Sequence, residues 1–344
     1  MEKLLTIVIP AYNMEKYLHR CLDSIISDKA MDKVQVLVVN DGSKDRTSEI
    51  AHEYEAKYPH YIQVVDKRNG NYGSCMNVGL SLAEGKYFRT LDADDWYDKE
   101  AYEAFIEELC KTNADLILCQ RIEIFEDKKK NIEFNKDVIL YKDLNISVDL
   151  WNNRSILEQY QVQSICFRTE IIRKSGFSWS EGIFYTDTEF DYWPLRGVKS
   201  VRFLPLNVYI YDRARDGQST ASDAINKNFK SYDIIANRLV EDFVNNAKSD
   251  NPTYPLQLWI LKVNMLSQIY TSLILNGYKH RNIIEKLEKK ISKNPDLFEL
   301  TNNIQNYRTF KYVKAYRTNK LKYSLMRLDY LIRSNKLLRR IVGK

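Results

Sequence analysis

Tyr87-Phe88-Arg89-Thr90-Leu91-Asp92-Ala93-Asp94-Asp95 carries a short, largely apolar run straight into three carboxylates within four positions. The run from Tyr87 to Leu91 has the length and composition of a buried strand. The acids that follow mark where that strand must meet water or a ligand. The same grammar recurs upstream: Leu4 to Ile9 and Val34 to Val39 are β-branched runs separated by a segment of helical character, and Ile62 to Val65 is a third. A helix is expected near Thr47 to Tyr58, after Asp41-Gly42-Ser43, and another over Tyr72 to Ala83. Strands alternating with helices at this spacing predict an α/β domain, a mostly parallel sheet flanked by helices. Ligands of such sheets gather at the carboxyl ends of the strands. Three segments fall there: Pro10 to Asn13, Asn40 to Ser43, and Asp92 to Asp95.

Three carboxylates in four residues repel one another unless a cation or hydrogen-bond donors offset them, and a hard divalent ion is the common solution. A capped turn opening the helix after Trp96 is the other reading, because Asp favours helix N-termini. An EF-hand is excluded: Trp96 stands at the fifth ligand position and no glycine stands at the sixth. In Asn40-Asp41-Gly42-Ser43 the glycine permits a turn of positive φ and Asp41 can accept hydrogen bonds from a ligand N–H, a pyrimidine imide among them; an ordinary strand-to-helix turn fits the residues too. Tyr12 can stack on a base or simply pack. The chain contains neither G-x-G-x-x-G nor G-x-x-x-x-G-K-[ST], which leaves a metal as the expected clamp for a diphosphate. The four histidines show no metal spacing and support no Ser/His/Asp arrangement.

Composition sets the outer bounds. With 344 residues, 44% of them apolar, the chain can bury a large core with an appendage. Five cysteines, odd in number and without a C-x-x-C pair, fit a reducing compartment, and the N-terminal apolar stretch is too short for a secretory leader, so a cytoplasmic protein is expected. Leu258 to Leu275 is broken by Lys262, Asn264, Ser267 and Gln268 and reads as a packed helix. The net charge of +6 is uneven: Tyr307 to Lys344 holds twelve Lys or Arg against Asp329 alone, a net +11, which leaves −5 on the rest. That distribution argues against a basic nucleic-acid groove in the body. Leu321, Leu325, Leu328 and Ile332 fall at helical spacing among those cations, as in a helix that rests on the inner face of an anionic membrane, although packing on the body suits them as well. The middle mixes apolar runs, Leu116 to Cys119, Val201 to Leu204 and Val208 to Tyr211, with a charged loop or hairpin at Glu126 to Lys136. Beyond about residue 222 the pattern turns helical.

Taken in order, Ile7 to Asn13, Val38 to Asp45, Asn69-Gly70 with Gly73 and Asn77, Glu84 to Tyr87, and Leu91 to Asp95 resemble the family-2 glycosyltransferases of GT-A fold. Five motifs in order over about 95 residues make the resemblance specific. It continues more loosely through Tyr185 to Phe190 and Pro205 to Arg215, and the C-terminal third matches no named pattern. It implies a catalytic domain over 1–222, with a nucleotide-sugar half (1–110) and an acceptor half (111–222), followed by a helical C-terminal extension over 223–344 that ends in the basic tail.

Carried over position by position, the resemblance implies that Pro10, Ala11, Tyr12, Asn13, Asp41, Asn69, Gly73, Asn77, Asp92, Ala93 and Asp94 line the site for the nucleoside diphosphate sugar, with Asp41 on a uracil imide. Asp94 is the implied ligand of Mn²⁺ or Mg²⁺ with Asp92 beside it, and Asp187 is the implied general base. Two departures stand out: Asn40 replaces the first acid of an Asp-Asp-Gly-Ser pattern, and Thr186 replaces the acid often found before the base, with Glu189 as its fallback. The implied reaction is inverting transfer of one sugar, from a UDP-linked donor as first expectation, to a hydroxyl of a carbohydrate or lipid-linked acceptor in cell-surface polysaccharide or glycoconjugate synthesis. Polymerisation is not expected, because no Q-x-x-R-W is present. Arg213 and Arg215 are further candidates to meet the diphosphate or acceptor. The rival readings are a sugar nucleotidyltransferase, whose Gly-rich basic loop after the first strand is missing here, and a catalytically silent carbohydrate- or partner-binding module.

Overall fold

The computed structural model describes residues 3–126, 128–214, 228–266, 281–302 and 314–334. The chain divides into two compact units, Met1–Gln218 with Asp250–Leu256, and Ser219–Ser249 with Gln257–Lys344. The expected boundary near residue 222 falls outside the described residues.

The first unit opens with three strand–helix pairs: β1 (Leu5–Ala11), α1 (Leu18–Ile25), β2 (Val34–Asn40), α2 (Thr47–Lys57), β3 (Ile62–Asp66) and α3 (Asn71–Leu82). Then come β4 (Tyr87–Thr90), the two-residue β5 (Trp96–Tyr97) and α4 (Lys99–Leu109). The stretch after α4 adds β6 (Leu116–Phe125), β7 (Lys128–Ile132), β8 (Asp143–Asn145), α5 (Arg154–Gln159), β9 (Ile165–Arg168), α6 (Thr169–Lys174), α7 (Asp187–Tyr192) and β10 (Ser200–Asp212).

All ten strands join one sheet, ordered β3-β2-β1-β4-β9-β6-β10-β5, with β7 on β6 and β8 on β10. The pairs β1/β2, β1/β4, β2/β3 and β6/β10 are parallel. Between β4 and β6 lies β9, antiparallel to both. It fastens the two halves into a continuous core, because Phe167 faces Phe88 on one side and Leu116 on the other. The central strands β1 and β2 are buried nearly throughout, as continuous apolar runs in a sheet covered on both faces should be.

Two expectations are refined. The runs Val201 to Leu204 and Val208 to Tyr211 are one strand: its register against β6 shifts between Leu204 and Asn207 and again before Tyr209, and that irregularity, next to Pro205, hides its continuity in the sequence. The charged segment after Glu126 is a hairpin, β7 folding back antiparallel on β6.

In the second unit, helix Phe229–Asn246 buries Tyr232, Ile235, Ala236, Leu239, Val240 and Phe243 along one stripe. Helix Arg281–Ile291 packs on it through Leu287 and Ile291, with Lys290 bridging to Glu241 at 2.7 Å. Of the expected helix Leu258 to Leu275, the part from residue 267 lies outside the described residues. Among the described residues no helix is long and apolar enough to cross a membrane.

Candidate active site

The loops after β1 and β2 are laced together at the end of the sheet. Asn13 takes a left-handed conformation (φ 55°), its Oδ1 accepts from Lys44 N at 2.9 Å, and its own N–H donates to Ser43 Oγ at 3.0 Å. Asp41 N donates to Ala11 O at 2.8 Å, and Gly42 sits at φ 73°, a turn that asks for glycine. Pro10 is half-buried and Ala11 buried, while Tyr12 stands 41% exposed beside them, a free face for stacking.

Asp41 is deeper than the sequence suggests. Its Oδ1 accepts from Gly70 N at 2.9 Å and from the Lys67 ammonium, its Oδ2 accepts from Asn71 N at 2.9 Å, and its carbonyl accepts from Asn69 Nδ2 at 3.1 Å. It thus anchors the start of α3, where unpaired backbone N–H groups and the helix dipole favour an anion. Asn40, at the departure from the Asp-Asp-Gly-Ser pattern, donates to Asp66 Oδ1 at 2.7 Å.

The acid cluster separates into two kinds of carboxylate. Asp92 and Asp94 are half-buried, whereas Asp95 is 1% exposed and accepts from Tyr209 OH at 2.7 Å and from Asp212 N at 2.8 Å. Burial, and after it the charges of Asp92 and Asp94, hold the Asp95 carboxyl well above the usual carboxylate range. The same three acids, after burial, push up the Cys21 thiol. The helix-cap reading of the cluster fails, because the cap of α4 is Asp98, whose side chain accepts from Ala101 N at 3.0 Å. From α1, Arg20 donates to Asp94 O at 2.7 Å and to Asp212 Oδ2 at 3.2 Å, and its guanidinium lies 3.7 Å from the Trp96 ring centroid.

Among the described residues no three His, Cys, Asp or Glu gather as a complete metal cage. The residues fit a divalent ion nonetheless: Asp92 and Asp94, two apart and both reaching the surface, bring oxygen ligands to a strongly negative spot, and a hard cation commonly completes its shell with substrate phosphates and water.

Asp187 opens α7, and burial raises its carboxyl above the ordinary value. Tyr185, two residues earlier, is held at φ 65°, an uncommon conformation for an aromatic residue and one that tends to persist at functional sites. Burial lifts the hydroxyls of Tyr72 and Tyr211, and after it the charges of both Asp92 and Asp187 bear on each of them. The charges of the acid at the end of β4 and of the acid at the head of α7 thus reach the same two hydroxyls, far apart as these residues are in sequence.

Other candidates lie elsewhere. Glu189, the fallback base, is wholly buried and accepts from Ser180 N at 2.8 Å and Ser180 Oγ at 2.9 Å, a structural duty that removes it from contact with an acceptor. Asn77 turns to the loop of Trp179 and Glu181. Arg213 pairs with Glu123 at 3.2 Å and lies over Phe125 and Tyr211, while Arg215 falls outside the described residues. Arg20, Tyr209 and Asp212, which support the acid cluster, carried no signal in the sequence, since each reaches it across a long separation. His52 lies between Glu55 Oε2 at 2.8 Å and Asp66 Oδ2 at 2.7 Å, and through Asp66, which also accepts from Asn40, it comes closer to the loop after β2 than the sequence suggests.

The profile of glycosyl transferase family 2 matches residues 6–175. An uncharacterized glycosyltransferase of Rickettsia typhi is 30% identical over 234 residues, 67% of this chain and 70% of that protein. The uncharacterized glycosyltransferase EpsJ of Bacillus subtilis is 27% identical over 214 residues, and the match spans 61% of each chain. Among solved structures, TarS of S. aureus, residues 1–349, in complex with UDP-GlcNAc superposes with a TM-score of 0.56 at 17% identity, covering 91% of both chains, a likeness of fold.

Proposed function

Since the chain belongs to glycosyl transferase family 2, we propose that it transfers a single sugar from a nucleoside diphosphate carrier to an acceptor hydroxyl, with inversion, in the assembly of a cell-surface polysaccharide or glycoconjugate. The observation that carries this reading is the half-buried pair Asp92 and Asp94 at the end of β4, braced by Arg20 and set beside the inward-turned Asp95. Transfer needs charge offset at the departing diphosphate and a proton acceptor at the attacking hydroxyl, and this reading gives the first task to Asp92 and Asp94 and the second to Asp187. Pro10 to Asn13 and Asn69 flank the nucleoside, Asp41 braces the loop under it, and the pocket continues to Asp92, Ala93 and Asp94. UDP is the carrier this reading favours, in keeping with the UDP-GlcNAc held by TarS.

Asp94 and Asp92 would hold Mn²⁺ or Mg²⁺. Bound there, the ion supplies positive charge to the phosphates, worth several kcal/mol more in a partly dry cleft than in water. Asp187 takes the proton of the acceptor hydroxyl as the oxygen attacks the anomeric carbon, while the bond to the diphosphate breaks on the opposite face. A positioned base of this kind contributes roughly 10²–10⁴-fold. Its raised carboxyl is the better base for it.

A panel of nucleoside diphosphate sugars with Mn²⁺ or Mg²⁺, scored for diphosphate release with and without EDTA, tests the reading. Release from one donor that stops with EDTA and with Asp94→Ala is expected. Release indifferent to both would sink the metal part, and no release from any donor with any acceptor would favour a silent binding module.

A membrane contact made by the second unit belongs to the same proposal. Helix Lys320–Ser334 buries Tyr323 and leaves Leu321, Leu325 and Leu328 exposed at 71%, 60% and 56%, one stripe flanked by Lys320 and Lys322. Apolar residues turned to water among cations suit the surface of an anionic bilayer, where a lipid-linked acceptor resides. The Ile332 side chain lies outside the described residues. Flotation with anionic vesicles should carry the full chain and leave behind one ending near Arg308; equal flotation removes the membrane contact.

A further inference from the structure

Three features of α3 face the segment from Phe177 to Gly182. The Asn77 amide brackets the backbone of one residue: its Oδ1 accepts from Trp179 N at 2.9 Å and its Nδ2 donates to Trp179 O at 3.0 Å. The same Nδ2 donates to Glu181 Oε1 at 2.8 Å, which engages both donor hydrogens and the acceptor of the amide. One turn earlier, Gly73 lies so close that a Cβ there would stand 2.0 Å from Ser180 O and 3.1 Å from Trp179 Cβ. At the head of the helix, Gly70 O accepts from Gly182 N at 2.8 Å. The segment is therefore laid along α3 like an added strand, held by side chain and backbone with no room between.

Its other side is fastened to α7. Ser180 donates twice to the buried carboxylate of Glu189, and Trp179 stacks on Phe190 at 5.3 Å and 24°. Both partners belong to α7, whose first residue is Asp187. A helix of six residues has no stability of its own and takes its place from what it packs against.

We propose that Asn77 is a positioning residue: through Trp179 and Ser180 it ties the donor helix α3 to α7 and sets where Asp187 stands. Its amide is engaged by the loop on both its oxygen and its nitrogen, so in this proposal Asn77 and Gly73 serve the acceptor half although they lie in the donor half. The proposal rests on Asp187 as the base.

Asn77→Asp is the sharpest probe. The new carboxylate can still accept from Trp179 N, but it turns acceptor against acceptor at Trp179 O and at Glu181. A displacement of about 1 Å at a reacting group costs on the order of 10²-fold in rate. The expected result is a kcat for transfer reduced by that order, with the Kd for UDP and Mn²⁺ by calorimetry changed less than about threefold. Glu181→Gln, added to Asn77→Asp, supplies an amide donor toward the carboxylate and should recover about tenfold of the loss. Hydrogen exchange should quicken in Asn77→Asp over 177–192 and stay unchanged over 5–11, a readout that needs no activity.

A UDP affinity that falls in step with kcat would place Asn77 on the donor and overturn the proposal, as would unchanged exchange over 177–192 or no recovery on adding Glu181→Gln. Asp187→Asn alone separates the two ideas. Transfer retained there sinks the base and this proposal together, whereas transfer lost there but intact in Asn77→Asp sinks only the coupling.

Discussion

Replacing Arg20 by Ala tests whether the acid cluster works because it is braced from beneath. The side chain is 41% exposed, so each contact is discounted for solvent. The charge-assisted bond to Asp94 O at 2.7 Å contributes about 1 kcal/mol at this exposure, below the roughly 1.5–3 of buried cases. Its pair with Asp212 at 3.2 Å adds about 0.2–1 kcal/mol, and stacking 3.7 Å from the Trp96 centroid adds about 0.5–1. The contacts share one group and are not additive, which puts Arg20→Ala near 2 kcal/mol less stable. For the unit that holds Arg20, Met1–Gln218 with Asp250–Leu256, that lowers Tm by about 4–8 °C. The functional effect should be larger. Arg20 holds the backbone of the residue whose carboxylate is proposed to meet the metal, and loss of such an outer partner typically weakens metal binding by about 10–100-fold. The assay is an Mn²⁺ titration of diphosphate release at saturating donor, beside a thermal melt. Arg20→Lys keeps the charge but loses the fork and the stacking, so it should fall between. An Mn²⁺ midpoint unchanged in Arg20→Ala while Tm drops would refute the reasoning, since Arg20 would then hold the fold and not the site.

Asp187→Asn should separate activity from stability. Burial raises the folded carboxyl above its unfolded value, so the native state binds the extra proton and stability falls as pH rises from about 4 through the folded pKa. The Asn variant escapes that loss: it should be the more stable protein at pH 7, lose the difference below about pH 4, keep UDP affinity, and show no transfer; a variant less stable at pH 7 would contradict the assignment of a strained buried carboxyl. In the wild type the acid limb of kcat against pH should lie above the ordinary carboxylate range, and a limb at an unshifted value would place the base elsewhere. Tyr209→Phe removes the 2.7 Å donor from the buried Asp95, and about 1–3 kcal/mol of stability should go with it in urea unfolding; an unchanged midpoint would mean that another donor takes its place.

How much of this was legible in the sequence depends on how local each cause is. The parallel half was readable because β1, β2 and the start of α3 are built from contiguous apolar runs and turn residues, and their ends fell within a few residues of expectation. The candidate acids Asp92, Asp94 and Asp187 were readable as motifs. Their division of labour was not: Asp92, Asp94 and Asp95 look alike on paper, and only the arrival of Tyr209 and Asp212 from β10 turns Asp95 inward. The doubly shifted register of β10 that delivers Tyr209 breaks the two-residue period and conceals the strand itself. Arg20 is invisible for the same reason, being a helix residue whose partners Asp94 and Asp212 come from the loop after β4 and from the end of β10.

Asn77 and Gly73 show the deeper difficulty. In the sequence they sit inside a donor motif, and proximity in the chain assigns them to the donor; in the fold they face Trp179 and Ser180. The reason lies in the sheet. With β9 inserted antiparallel between β4 and β6, the segment leaving β9 through α6 returns across the open side of α3 before α7 begins. Whatever residue α3 presents there must leave space for a backbone and satisfy its N–H and C=O. A glycine answers the first need and an amide the second, because an amide carries its donor and its acceptor on separate atoms that can meet an N–H and a C=O at once. If Asn77 is the positioning residue proposed, a residue demanded by the segment before α7 stands in a motif read as the donor's, because a motif records which residues are required without recording what in the fold requires them.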